Sequence, residues 1–174
     1  MSGVPPVDPE RDHVRGGAAG PYELILYGDY ECPYTKRAMG FVDALRARYG
    51  DELRFVFRHF PLPSYHPHAE HAAEAAEAAG AQGDFWALHD QLFAHPDRLA
   101  DEDLARHAQA VGLDADAVAA ALVAGTHAER VREDAKGGRA AGIRGTPSFV
   151  TGGELHQGFY DVETLSESLE YNAG

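Results

Sequence analysis

Sulfur is scarce in this chain. Cys32 is the only cysteine among 174 residues, so no disulfide can close within one molecule, and a disulfide-stapled scaffold is excluded. Long apolar runs are missing as well. Nothing approaches the ~18 consecutive apolar residues of a membrane helix, and no membrane association is expected. Positive charge is in short supply, 15 Lys and Arg against 28 Asp and Glu for a formal net charge of −13. No Lys/Arg stripe breaks that pattern, so nucleic acid is repelled and solubility is the plain reading of the acidity. The opening stretch from Met1 to Asp12 has neither the basic nor the apolar region of a signal peptide, which predicts a cytoplasmic protein. There is no Gly-x-Ser-x-Gly elbow, and the glycine-rich Gly137–Gly145 lacks the Lys-Ser/Thr of a phosphate loop.

What is present suits one globular domain: 44% of the residues are hydrophobic, at a length close to the ~150 residues of a typical domain. Residues 1–20, rich in Pro, Gly and charge, read as an N-terminal arm with no fold of its own. Tyr22–Tyr27 is a continuous apolar run ended by Gly28-Asp29, as in a strand buried on both faces. The segment from Cys32-Pro33 to Tyr49 reads as a helix. Pro33 suits the first helical position, where its missing N–H is not needed; Ala38, Val42, Leu45 and Tyr49 share one face, and Gly50 closes it. Leu53–Phe60, rich in aromatics, is a second strand, completing a right-handed βαβ unit.

A long helical region follows. Pro67 opens an alanine-rich helix to Gly80, with Glu70, Glu74 and Glu77 expected on its wet face. Asp84 caps the next, with Phe85, Leu88, Leu92 and Phe93 inward and the Phe85-Trp86 pair in the core, before Pro96 stops it. Asp101 and Asp114 start two more, and Thr126-x-x-Glu129 reads as a capping box opening a last helix to about Ala141. Strand patterns then return: Ser148–Thr151 and Glu154–Gln157 flank Gly152-Gly153 as a tight hairpin, and Asp161 caps a final helix with Val162, Leu165 and Leu169 inward. The fold class is therefore α/β, one sheet interrupted by a helical insertion. The expected limits are 1–20 for the arm, 21–65 for the first part of the sheet unit, 66–126 for the inserted helices and 127–174 for the second part.

Chemistry concentrates at Cys32, where the end of a buried strand meets the start of a helix. Free N–H groups and the helix dipole favour a thiolate there. Thr35, one turn on, can donate its hydroxyl to the sulfur, and Lys36 helps, whereas the carboxylates of Asp29 and Glu31 oppose a second negative charge. Thr146-Pro147 follows a glycine and opens a strand, a usual place for a cis bond, with the backbone of Thr146 left to pair with a substrate peptide. His66, His68 and His71 read as capping and packing at a helix start rather than as a metal site, and His59, at a strand end, as a residue at the active-site edge or, as is commoner, simply at the surface.

The run YGDYECPYTK (Tyr27–Lys36), the strand RFVFRHFPL, the stretch HPHAEHAAEAAEAAGAQGDFWALHDQLF and GIRGTPSFVTGG resemble the DsbA-like branch of the thioredoxin superfamily, over roughly Val7 to Leu169. The resemblance implies a thioredoxin fold (βαβ…ββα) with an inserted helical domain, a nucleophilic cysteine at the helix start and a cis-proline loop across from it. In this sequence those are Cys32 and Thr146-Pro147, with Pro33 and Tyr34 shaping a substrate groove beside the thiol.

The departure from the family pattern is Thr35, which stands where Cys-x-x-Cys has its second thiol. Without it a mixed disulfide on Cys32 cannot be resolved internally, so one chain cannot store and donate a disulfide. Three monothiol routes remain. Cys32 attacks a mixed disulfide and is released by a small thiol such as glutathione; or it is oxidised by peroxide and rescued the same way; or it activates a small thiol for transfer. The expectation is a monothiol thiol-disulfide oxidoreductase or thiol transferase. It would bind no cofactor or metal, take protein or small-molecule thiols and disulfides as partners, and use a small thiol as co-substrate. The alternative is a redox-inactive module that binds peptides or partners in the same groove.

Overall fold

The computed structural model describes residues 3–173; Met1 and Ser2, at the head of the expected arm, and Gly174 lie outside the described residues. The chain divides into two compact units. The first takes in the residues up to Gly28, Tyr34–Arg58 and those from Lys136 on; the second takes in Asp29–Pro33 and His59–Ala135.

The first unit is built on a mixed five-stranded sheet: β1 (His13–Gly16), β2 (Tyr22–Gly28), β3 (Leu53–His59), β4 (Ser148–Thr151) and β5 (Glu154–Leu155), in the order β1-β3-β2-β4-β5. Helix α1 (Pro33–Tyr49) connects β2 to β3 and buries Ala38, Val42 and Leu45, the face the spacing predicts. β4 runs antiparallel to β2, with Ser148 opposite Tyr27 and Thr151 opposite Leu24. Gly152 and Gly153, at φ 56° and 86°, supply the two positive φ values of the hairpin turn into β5.

The segment expected to be an arm without a fold contributes β1, which pairs antiparallel with β3 in the register His13–Phe57 to Gly16–Arg54. The physical cause is Arg58. Its buried guanidinium donates to both carboxylate oxygens of Asp12 at 2.9 Å, to the Tyr27 hydroxyl at 2.9 Å, and to the carbonyls of Pro5 at 2.7 Å and Pro6 at 3.1 Å. Burial alone would push Asp12 up, but the Arg58 hydrogen bonds, the Asp8 N–H and the charges of Arg58 and Arg11 outweigh it and hold the carboxyl below its usual value.

The second unit carries α2 (Ala69–Ala81), α3 (Phe85–Ala94), α4 (Asp101–Ala110), α5 (Ala115–Ala124) and most of α6 (Ala128–Ala140). Asp84 and Asp114 cap α3 and α5 by accepting the N–H of Ala87 and Ala117. Two expectations fail here. Thr126 does not open α6, because its N–H closes α5 on the Ala121 carbonyl past Gly125, which is left-handed at φ 64°. Glu74 and Glu77 are not on a wet face, each being 6% exposed. An alanine-rich surface lets neighbours approach from several sides, and α2 packs against α3, α4 and α5. Glu77 is then paired: its carboxylate accepts from His59 Nε2 at 2.8 Å and meets Arg130 at 3.3 Å. His59, read as a surface residue, is 1% exposed, and its N–H donates to Asp134 at 3.0 Å.

Back in the first unit, α7 (Val162–Tyr171) packs against β2 and β4, its start closed by a reciprocal Asp161–Thr164 capping box. Leu165 and Leu169 are buried, while Val162 is half-buried. Arg48 and Tyr49 at the end of α1 bond to Glu163 and Glu170 of α7.

Candidate active site

Cys32 is the last residue before α1, and its N–H donates to the Asp29 carbonyl at 3.1 Å, forming a turn between strand end and helix start. It is the only cysteine, and the residue is 4% exposed. Pro33 and Tyr34 face solvent, Tyr34 at 62% exposure, and Lys36 is exposed as well. Thr35 is fully buried in the first turn of α1. Its slot is tight: a Cβ added at Gly28 would lie 2.6 Å from Thr35 Cγ2 and 2.7 Å from the Phe57 ring. Glycine at the end of β2 is what lets the Thr35 side chain lie against the strand.

The Thr146–Pro147 peptide is cis. Thr146 lies just outside the β2–β4 ladder, which begins at Ser148, and the Ser148 hydroxyl donates to the Gly145 carbonyl at 2.7 Å to hold the approach. A cleft of about 550 Å³ is lined by Tyr34, Thr146, Pro147, His156 and Tyr160, among others. His156 is fixed at both ring nitrogens. Nε2 lies 2.8 Å from the Phe159 carbonyl, which only accepts, so in the neutral ring Nε2 carries the proton and Nδ1 accepts from the Ser168 hydroxyl at 2.8 Å. Of the six residues singled out in the sequence, the structure thus brings Tyr34, Thr146 and Pro147 to one cleft, with Thr35 beneath Gly28. Cys32 and Pro33 group with the helical unit.

That grouping arises from polar contacts far along the chain, which no periodicity in the sequence marks. Asp29 is 1% exposed and accepts from the N–H of Glu31 at 2.7 Å, the N–H of Leu62 at 2.9 Å and His66 Nδ1 at 2.8 Å. The Tyr30 hydroxyl is 2.8 Å from His89 Nδ1, and its ring packs on Phe93. Glu31 accepts the His68 N–H at 3.0 Å. The clustered histidines therefore serve different partners: His66 takes Asp29, while His71 takes Asp101 at 2.7 Å, a hydrogen bond that raises the His71 pKa. Among the described residues no group of His, Cys, Asp or Glu is arranged to hold a metal ion, and no helix is long and apolar enough to cross a membrane. Sequence held one signal for the Asp29 pocket, a carboxylate placed directly after a buried strand.

A sequence family described as Thioredoxin matches residues 8–171. The chain belongs to the thioredoxin family. Its fold is that family's, a thioredoxin fold with the helical unit inserted between β3 and β4. A thioredoxin-like oxidoreductase from Silicibacter pomeroyi DSS-3 superimposes with a TM-score of 0.83 at 29% identity, over 94% of this chain and 92% of that one. BdbD from Bacillus subtilis, in its oxidised form, superimposes at 0.85 over 99% and 97% of the two chains, at 22% identity, a likeness of fold. A relative in Mycobacterium sp. (strain KMS), named Na(+)/H(+) antiporter NhaA 1, is 44% identical over 169 residues, 96% of this chain and 28% of the relative. Another in Salinispora tropica, named Na(+)/H(+) antiporter NhaA 3, is 43% identical over 94% of this chain and 25% of its own length. The chain thus spans only about a quarter of the curated relatives it matches.

Proposed function

We propose that this member of the family is a monothiol thiol-disulfide oxidoreductase with Cys32 as its nucleophile. The observation that carries the reading is the sole thiol at the start of α1, with a buried threonine at position 35 where a resolving cysteine would stand. The Cys32 thiolate attacks a disulfide sulfur; a new S–S bond forms, the old one breaks, and the leaving thiolate departs with the electron pair and is protonated by water. With no second thiol the mixed disulfide persists until a small thiol such as glutathione attacks it, regenerating Cys32 and forming the new disulfide on the released group. In this reading Tyr34, Thr146 and Pro147 receive the substrate. Release by a reduced small thiol suits a cytoplasmic setting, where such thiols are abundant. The relatives' names make a thiol or disulfide of a membrane antiporter one substrate to look for.

The second reading, a peptide-binding module without exchange chemistry, is favoured by the low exposure of Cys32, since buried thiols are inert unless something opens access to them. Trapping separates the two. Full-length protein is incubated in lysate of the source organism without reductant, beside Cys32→Ser. A small thiol or protein set captured by wild type only, and freed by reductant, is the expected result. A Cys32 left unmodified, also after peroxide, with the same partners held by both forms, supports the binding module instead.

A further inference from the structure

Asp29, three residues before Cys32, has two jobs at once. Its carbonyl accepts the Cys32 N–H, and its buried carboxylate accepts from Glu31, Leu62 and His66. A carboxylate only accepts, so His66 presents Nδ1–H to it. The choice of residue is informative. A buried carboxylate is unfavourable unless every oxygen is satisfied, and one placed just before a thiolate opposes that charge. A small apolar side chain would fill the end of a strand without either penalty. What the carboxylate adds is a fixed point for two segments: the turn that presents Cys32, and the loop carrying Leu62 and His66. The His66 side chain is 20% exposed, against 0% for Asp29.

We propose that His66 is a positioning residue for Cys32, acting through Asp29. Its Nδ1–H shares the carboxylate with the Leu62 N–H, offsets part of its charge and locks the turn from which the thiol is presented. The inference rests on the reading of Cys32 as a nucleophile.

The test uses the full chain, reduced. The reaction of Cys32 with an aromatic disulfide, and its alkylation by iodoacetamide, are followed from below to above neutral pH. His66→Ala is expected to slow both by about tenfold or more, because a misplaced nucleophile loses its alignment. His66→Asn sets an amide N–H where Nδ1–H stood, and is expected to recover most of the rate with the wild-type pH profile. His66→Gln places its amide too far out to do so and covers the case in which His66→Ala fails to fold. His66→Ala at the wild-type rate, or Asn and Gln variants reacting alike, overturns the inference. Wild type that is inert to both reagents overturns the exchange reading and the inference with it.

Discussion

At position 35 the chain carries a hydroxyl where a resolving thiol would stand, inside a slot with no spare room. Cysteine is close to threonine in size, so Thr35→Cys is expected to fold and, in an oxidising thiol buffer, to close a disulfide with Cys32. Thiol titration checks this: the count should fall from two in the reduced variant to none, and a variant that stays fully reduced contradicts the turn geometry assigned to Cys32. Gly28 is the other wall of the slot. Gly28→Ala forces a methyl to within 2.6 Å of Thr35 Cγ2, which is expected to destabilise the fold by about 1–3 kcal/mol in urea denaturation. Cys32, Thr35 and Thr146-Pro147 were legible in sequence because each sits at an element boundary marked by proline or glycine. The Asp29–His66 bond was not, since its partners are 37 residues apart and neither belongs to a periodic pattern.

Among the elements, β1 shows best how a segment without periodicity becomes structure. Nothing in residues 1–20 alternates strongly enough to predict a strand, yet the Asp12–Arg58 pair, 46 residues apart, fastens it to the sheet. Asp12→Ala leaves the Arg58 guanidinium buried without its carboxylate and is expected to cost about 3–5 kcal/mol. The pH dependence follows from the depressed Asp12 value. Its contribution is complete above the unfolded carboxyl value near 3.8 and is lost as the pH falls through the lower folded value. Acid titration of stability should therefore show a drop below about pH 3.8 that is smaller in Asp12→Ala. The helix α2 errs in the opposite sense: its periodicity was legible, but alanine's small size allowed neighbours to cover Glu74 and Glu77.

For the whole molecule the governing quantity is charge. A net −13 makes the folded chain repel itself, and salt screens that repulsion. The melting temperature is expected to rise by several degrees between low salt and about 0.5 M NaCl, as read by circular dichroism. A fall would mean that attractive pairs such as Arg48–Glu163 outweigh the net repulsion.

By itself the sequence determined the order of strands and helices from Tyr22 onward, the caps at Asp84, Asp114 and Asp161, the hairpin glycines and the absence of a second thiol. These are short-range properties, decided by side-chain periodicity and by backbone preferences within a few residues. Only the tertiary structure decided that the N-terminal segment joins the sheet, that Glu77 and His59 are buried as a pair, and that the Asp29 carboxylate meets Leu62 and His66. Each of those depends on a polar group finding its partner far along the chain. Burial makes that pairing obligatory without announcing in the sequence which partner it will be.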